Sequence, residues 1–106
     1  MFVKIDLEPY PPVVTLEEPD DTLQFHVSVI GGTEWGLVFG ALVDAAAGRL
    51  EGEEAFITVD AVRRMADERV GPTWDDDFAA MLDYARTKGW LDDAGIAIKA
   101  HIEWAT

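Results

Sequence analysis

The chain has 106 residues, of which 21 are acidic and 8 are basic, so its formal net charge is −13. This length fits one domain, and a field of this sign repels nucleic-acid phosphates and anionic lipid surfaces. The absence of cysteine excludes disulfides and cysteine-based metal or redox sites. The charge itself indicates either a solvated surface or attraction to a basic partner.

Two strands are predicted in the N-terminal third of the chain. Residues 1–7 alternate between apolar and polar side chains, and the prolines within residues 9–12 end this strand. Residues 17–21 form a polar connector, residues 22–30 alternate again, and a glycine pair at 31–32 breaks the second strand. Because the N-terminus lacks the continuous apolar stretch of a signal peptide, a cytoplasmic location is expected.

Two helices are predicted in the middle of the chain. Residues 35–47 carry apolar side chains around more than one stripe, which predicts the most buried helix of the domain, with Thr33 as its N-cap. A charged loop over residues 49–54 and a short strand follow. Thr58 then suits the N-cap of a second helix over residues 59–69.

A third helix and a hairpin are predicted at the C-terminal end. Residues 74–88 place apolar side chains at helical spacing, and Thr73 with Asp76 resembles a capping box. Gly89 is well placed to end this helix in the left-handed conformation. Residues 90–104 contain a turn signal followed by clean alternation, which predicts a hairpin.

The order of these elements resembles the winged helix-turn-helix superfamily. The resemblance comprises helix 35–47, strand 55–58, helix 59–69, helix 74–88 and hairpin 90–104. It rests on element order, turn positions and apolar spacing, because no family motif is present. The expected fold is therefore α+β, with a winged-helix-like three-helix core and C-terminal β-hairpin over residues 35–104 and two N-terminal strands as an extension over residues 1–34.

In DNA-binding members of that superfamily, the resemblance implies that the third helix enters the major groove. Here the exposed side of that helix is acidic, through Asp75, Asp76, Asp77 and Asp83. This surface has the wrong sign for a duplex. Trp74, at the helix start, is a candidate anchor because tryptophan is enriched at binding hot spots. We therefore take Trp74 and these four aspartates as the candidate partner contacts, and assign Trp35, Trp90 and Trp104 to the core.

No catalytic, cofactor or metal site is predicted. His26 and His101 lie on the polar faces of predicted strands, and only neighbouring strands in a suitable register would bring the imidazoles together, with Glu103 nearby, as ligands for a divalent metal. Without a motif spacing, surface histidines are the favoured interpretation. Gly31-Gly32 lacks the following lysine of a phosphate-binding loop, and Ser28 lies in the middle of a strand.

The sequence therefore favours a non-catalytic protein–protein interaction or regulatory module. The expected partner is a protein with a basic surface, and a homodimer through the N-terminal strands is a second possibility. Neither a cofactor nor a membrane is expected. The alternative is a winged-helix regulator that binds nucleic acid, or an acidic mimic of DNA. A small enzyme would need a pocket with convergent polar groups, which a sequence does not reveal.

Overall fold

The computed structural model describes residues 1–105, which form six strands and three helices. In chain order these are β1 (Phe2–Asp6), β2 (Val13–Glu17), β3 (His26–Ile30), α1 (Trp35–Asp44), β4 (Gly48–Glu51), β5 (Glu54–Thr58), α2 (Val59–Ala66), α3 (Trp74–Lys88) and β6 (Ala97–Ala105). The predicted α+β class is confirmed. Strands dominate the fold, however, and a winged-helix core is not shown.

All six strands belong to one curled sheet with the order β2-β1-β3-β6-β5-β4. The β1–β3 and β3–β6 pairs are parallel, and the other neighbours are antiparallel. Strand β6 joins the two halves of the sheet. Its residues 102–105 pair with β3, and its residues 97–101 pair with β5 on the opposite side.

The N-terminal strands form the interior of this sheet. The prediction of a free N-terminal extension is therefore wrong, because β1 lies between β2 and β3, and β3 lies between β1 and β6. Strand β2 was not predicted, since it is short and follows directly on the prolines. It supplies the only free edge among the three N-terminal strands, so strand pairing between copies would have to use β2 rather than β1 or β3.

The predicted charged loop over residues 49–54 is also wrong, because it forms most of a β4–β5 hairpin. Glu51 pairs with Glu54 across a two-residue turn in which Gly52 has a φ of +61°. The Arg49 guanidinium lies 4.6 Å from the centre of the Phe56 ring on the next strand. The strand was missed because its outward side chains are charged and it is only four residues long.

The core lies between the concave face of the sheet and the helices. Helix α1 contacts β4 and β2, and α2 contacts β2 and β5, so the two helices lie between opposite edges of the curled sheet. The large side chains that are fully buried include Phe78, Met1, Ile5, Leu16, Leu42 and Ile57. Each strand of the sheet interior contributes alternate residues to this core, as period-two alternation predicts.

Two predicted helix ends are confirmed. Thr58 caps α2, since its Oγ1 accepts a hydrogen bond from the Ala61 N–H at 3.1 Å. Gly89 ends α3 in the left-handed conformation, with a φ of +75°, and α3 has the predicted bounds. Helix α2 is shorter than predicted and ends at Ala66 instead of residue 69.

Two other predicted caps are wrong. The N-cap of α1 is Glu34 rather than Thr33, and it makes no side-chain hydrogen bond to the helix. Thr73 has helical backbone angles and also makes no such bond, so it does not form a capping box with Asp76. A side-chain cap requires an extended N-cap residue, which Thr73 is not.

Helix α1 is not the most buried helix. It ends at Asp44, three residues before the predicted end, and only Val38, Ala41 and Leu42 are buried. The outward side chains, among them Phe39, are apolar and exposed. Because the helix is apolar on all sides, its sequence pattern does not reveal which side faces the core.

The predicted hairpin over residues 90–104 is largely replaced by sheet pairing. Its first arm is reduced to a single bridge between Leu91 and Ile98. The second arm, β6, instead pairs along its length with β5 and β3. The Asp92–Gly95 turn between the arms is present, with a hydrogen bond of 2.9 Å from the Gly95 N–H to the Asp92 carbonyl oxygen.

Replacement of Gly48 by alanine tests the β4–β5 pairing. A Cβ at this position would overlap the carbonyl oxygen of Phe56, a backbone atom that cannot move without breaking the strand pair. We expect Gly48→Ala to lower the free energy of unfolding by about 1–3 kcal/mol, measured by urea denaturation. Gly71→Ala is the matched control, since a Cβ there meets nothing within 4 Å. Equal stability of the two variants would contradict this register.

Candidate binding cleft beside helix α3

A cleft lies where β6 changes neighbours on the side that faces β3. Near its start, β6 pairs with residues 90–92, through hydrogen bonds from the Asp92 N–H to the Ala97 oxygen at 3.0 Å and from the Lys99 N–H to the Trp90 oxygen at 2.6 Å. Pairing with β3 begins only at Ile102. The segment before β3 therefore diverges from β6, and a cleft opens between that segment, α3 and β6.

This cleft has a volume of about 630 Å³, within the range typical of ligand-binding pockets. Its walls are mainly apolar and aromatic. They include Leu23, Phe25, Met81, Tyr84, Trp90 and Ile98. Such a lining favours a ligand group that is itself apolar, because binding removes both surfaces from water.

The rim of the cleft exposes apolar side chains to solvent. Leu23 is 93% exposed, and its N–H is held by a hydrogen bond of 3.1 Å to the Asp21 carboxylate. Tyr84 and Trp90 are half-exposed and pack edge to face, with ring centres 5.7 Å apart. The prediction that Trp90 belongs to the core is therefore wrong. Trp90 follows the residue that ends α3, and this position at the end of the helix places it at the rim.

One acidic side chain, that of Asp77, lines the cleft. Asp75 and Asp76 are exposed beside it in the first turn of α3. Asp83, one of the predicted partner contacts, is exposed farther along the helix and forms an ion pair with Arg86 at 2.9 Å. The cleft thus combines apolar walls with the carboxylate of Asp77.

Trp74 is placed differently from the four aspartates. It is only 5% exposed, and its indole N–H donates a hydrogen bond of 2.6 Å to the Pro19 carbonyl oxygen. Its ring stacks on Phe78, with centres 4.7 Å apart. Trp74 therefore attaches α3 to the β2–β3 connector from inside the molecule and is not a surface anchor. Trp90 and Tyr84, which the sequence analysis did not select, provide the exposed aromatic surface.

Lys99 contributes the positive charge of the cleft wall. Its Nζ lies 3.4 Å from the Glu54 carboxylate on β5. This neighbour partly neutralises the lysine, and Asp77 is the other charged residue of the cleft wall. Thr22 and Gln24 are further polar wall residues with hydrogen-bonding capacity beside the apolar lining. No triad of nucleophile, base and orienting group is formed by these wall residues.

His26, His101 and Glu103, the three residues considered for metal binding, lie close together because β3 and β6 are neighbouring strands. The Nε2 atoms of His26 and His101 lie 3.3 and 3.2 Å from the two carboxylate oxygens of Glu103, and Phe2 stacks on His26. Each carboxylate oxygen of Glu103 thus contacts one of the two imidazoles. Among residues 1–105, no set of three or more such side chains is arranged to hold a metal ion.

Comparison with known proteins identifies no similar one: no family model, curated protein or solved structure matches this chain. Within residues 1–105, every helix is too short or too polar to cross a membrane. The cleft therefore has to be interpreted from its own geometry and charge.

Asp92 fixes the turn that positions Trp90 beside β6. Its Oδ1 accepts hydrogen bonds from the Ile96 and Ala97 N–H groups at 2.9 and 3.2 Å, and its Oδ2 lies 3.5 Å from the Arg49 guanidinium. Partial burial tends to raise the pKa of the Asp92 carboxyl, but these hydrogen bonds and the Arg49 charge outweigh burial and hold the pKa below its ordinary value.

A pH-dependent contribution of Asp92 to stability follows from this lowered pKa. The contribution is complete above the ordinary aspartate pKa of about 3.9 and is lost as the pH falls through the lower pKa of the folded state. We expect Asp92→Ala to lower the free energy of unfolding at neutral pH, and the difference from wild type to shrink in acid. Urea denaturation across this pH range measures it, with the exposed neighbour Asp93→Ala as control. A pH-independent difference would contradict the role of the carboxylate.

Proposed function

We propose that this protein is a non-catalytic binding module that takes a basic segment of a partner protein into the cleft beside α3. The observation that supports this most directly is the combination of apolar, partly exposed walls with Asp77 in the wall and two exposed aspartates directly before it on α3. An extended segment would place one apolar side chain in the cleft and neighbouring cations near these aspartates. The proposal retains Asp75, Asp76 and Asp77 as partner contacts and replaces Trp74 by Trp90 as the anchor.

The apolar walls supply the larger part of the proposed affinity. Leu23, Tyr84 and Trp90 expose apolar surface that a bound side chain would remove from water, and each fully buried large side chain contributes about 1.5–3 kcal/mol. Aromatic residues in such positions are common hot spots. Because Leu23 is almost fully exposed, the cleft is open on one side, which suits a chain segment better than an enclosed small molecule.

The aspartates in the first turn of α3 supply selectivity and orientation. Helix α3 carries three consecutive aspartates in its first turn, where the helix dipole stabilises them without any partner. All three face solvent. A lysine or arginine next to the anchoring side chain would meet Asp77, and the net charge of −13 would speed its approach.

The alternative is the winged-helix regulator, with α3 as its DNA-recognition helix. The order of α1, β5, α2 and α3 supports this likeness, but the acidic exposed side of α3 opposes contact with phosphates. A variant in which the domain imitates DNA is supported by the same aspartates. That variant requires a partner whose basic surface also binds nucleic acid. A cytoplasmic location remains a prediction from the sequence.

Selection from a random peptide display library tests the proposed module. We expect enriched peptides that place lysine or arginine next to an aromatic or large aliphatic residue, with binding that weakens as salt is added. Trp90→Ala should weaken the selected peptides at least about tenfold, and Asp77→Asn should reduce both affinity and its salt dependence. Isothermal titration calorimetry measures both effects.

Two matched controls keep this experiment specific. Tyr10→Ala removes an aromatic ring that is fully in solvent, and Asp60→Asn neutralises an exposed first-turn aspartate on α2 instead of α3. Both should leave peptide affinity unchanged. Enriched peptides that lack basic residues would refute the proposal. So would a Trp90→Ala variant that binds the selected peptides as tightly as the wild type does. A gel shift of duplex DNA at low salt that is lost in Arg86→Ala would instead support the regulator.

A further inference from the structure

The cleft beside α3 combines aromatic rings from two of its walls with one carboxylate. Phe25 lies on the segment before β3, whereas Tyr84 lies on α3 and Trp90 follows the end of this helix. Asp77, in the first turn of α3, supplies the carboxylate. We propose that this cleft recognises an N-methylated lysine side chain. This inference rests on the proposed function and deepens it, since it names the side chain that the basic segment places in the cleft.

Tyr84 and Trp90 form a corner of the cleft. Their ring planes are inclined at 70° with centres 5.7 Å apart, so the rings adjoin as two walls and do not stack on each other. Phe25 supplies a third ring from the wall formed by the segment before β3. The face of an aromatic ring carries partial negative charge, and a cation that contacts several rings is attracted by each of them. Such a set of rings favours an ammonium cation that also has apolar surface.

The cleft walls are held in place without a ligand. Phe25 and Met81 are half-buried and pack against the hydrophobic core. The backbone of Trp90 is bonded on both sides, because its N–H donates to the Ala85 carbonyl oxygen at 2.9 Å and its carbonyl oxygen accepts from the Lys99 N–H at 2.6 Å. Little ordering of the protein is therefore needed when a side chain enters, and this favours affinity.

The ring of Tyr84 already contacts an ammonium group of the protein itself. The Nζ atom of Lys88 lies 5.4 Å from the centre of this ring, within the range of a cation–π contact. Lys88 is exposed and does not line the cleft, so solvent screens its charge and its side chain leaves the cleft open. The surroundings of Tyr84 are therefore compatible with an ammonium at its ring.

The charges around the cleft favour a cation over a neutral or anionic ligand group. Asp77 attracts a cation, while the Nζ of Lys99, the other charged wall residue, lies 3.4 Å from the Glu54 carboxylate and is partly neutralised. Asp75 and Asp76, exposed directly before Asp77 on α3, add to the negative potential nearby. A neutral group of the same size would gain no attraction from these carboxylates.

Methylation matches a lysine side chain to this lining. An unmodified ammonium is strongly hydrated, and in a mainly apolar cleft it would lose hydration that the walls do not replace. Each N-methyl group replaces an N–H donor by apolar surface and leaves the positive charge unchanged. A methylated lysine therefore uses the aromatic rings and Asp77 together, whereas an unmodified lysine is better accommodated by the exposed Asp75 and Asp76.

Calorimetric titration with three synthetic peptides tests this proposal. Each peptide has arginines on both sides of one test residue, which is trimethyl-lysine, lysine, or a neutral isostere with a carbon atom in place of the ammonium nitrogen. We expect the trimethyl-lysine peptide to bind at least about fivefold more tightly than either of the others. Trp90→Leu should abolish this preference, whereas Trp90→Phe, which retains a ring, should keep part of it. The matched control Tyr10→Leu should leave the preference unchanged, because Tyr10 is 97% exposed and lies outside the cleft wall.

The outcomes separate this proposal from the proposed function. A lysine or isostere peptide that binds as tightly as the trimethyl-lysine peptide would overturn the recognition of methylation. If all three peptides then lose affinity in Trp90→Leu, the proposed function stands without it. Absence of binding by all three peptides would overturn both proposals.

Free choline distinguishes a protein segment from a small molecule as the source of the methylated ammonium. Choline carries the same trimethylammonium group without a peptide, so it lacks the neighbouring cations that the aspartates of α3 attract. It should therefore displace the trimethyl-lysine peptide only weakly. Choline that binds as tightly as this peptide would overturn the assignment to a lysine side chain.

Discussion

Pairing of one long strand with two different neighbours determines the architecture of this protein. Strand β6 binds β5 along its first half and β3 along its second half, so it connects the N-terminal strands to the β4–β5 hairpin. The sheet curls around this strand, and α1 and α2 lie between its two edges. A second change of neighbour opens the cleft: on the side of β6 that faces β3, the short bridge at Leu91 is followed by β3, and the segment before β3 diverges from β6.

Elements in which apolar and polar side chains alternate over a long stretch could be predicted from the sequence. Short elements, and the helix that is apolar on all sides, could not. The bounds of α3 were correct, and the predicted end of β6 at residue 104 differed by one residue, because both patterns run for nine residues or more. Strands β2 and β4 were missed, since four or five residues beside prolines or charges give too little alternation. The buried side of α1 could not be predicted because no polar face opposes it.

The acidic residues of the candidate site were predicted from the sequence, whereas its exposed aromatic residues were not. The first-turn aspartates of α3 are local features, so sequence position alone indicates that they are exposed. Trp74 and Trp90 have similar neighbours in the sequence, at the two ends of the same helix, yet only Trp74 is covered, by the connector that contains Pro19. That contact joins residues 55 positions apart. No local pattern contains this information, and the two tryptophans were therefore assigned the wrong way round.

The charge of the molecule is distributed unevenly over its helices. Helix α1 carries only Asp44 among its ten residues, whereas the first turn of α3 carries Asp75, Asp76 and Asp77. Asp77 lies in the wall of the same cleft as the half-exposed Tyr84 and Trp90. For a partner of the proposed chemistry, apolar contact and charge attraction would therefore act at one place, and added salt would weaken only the charge attraction.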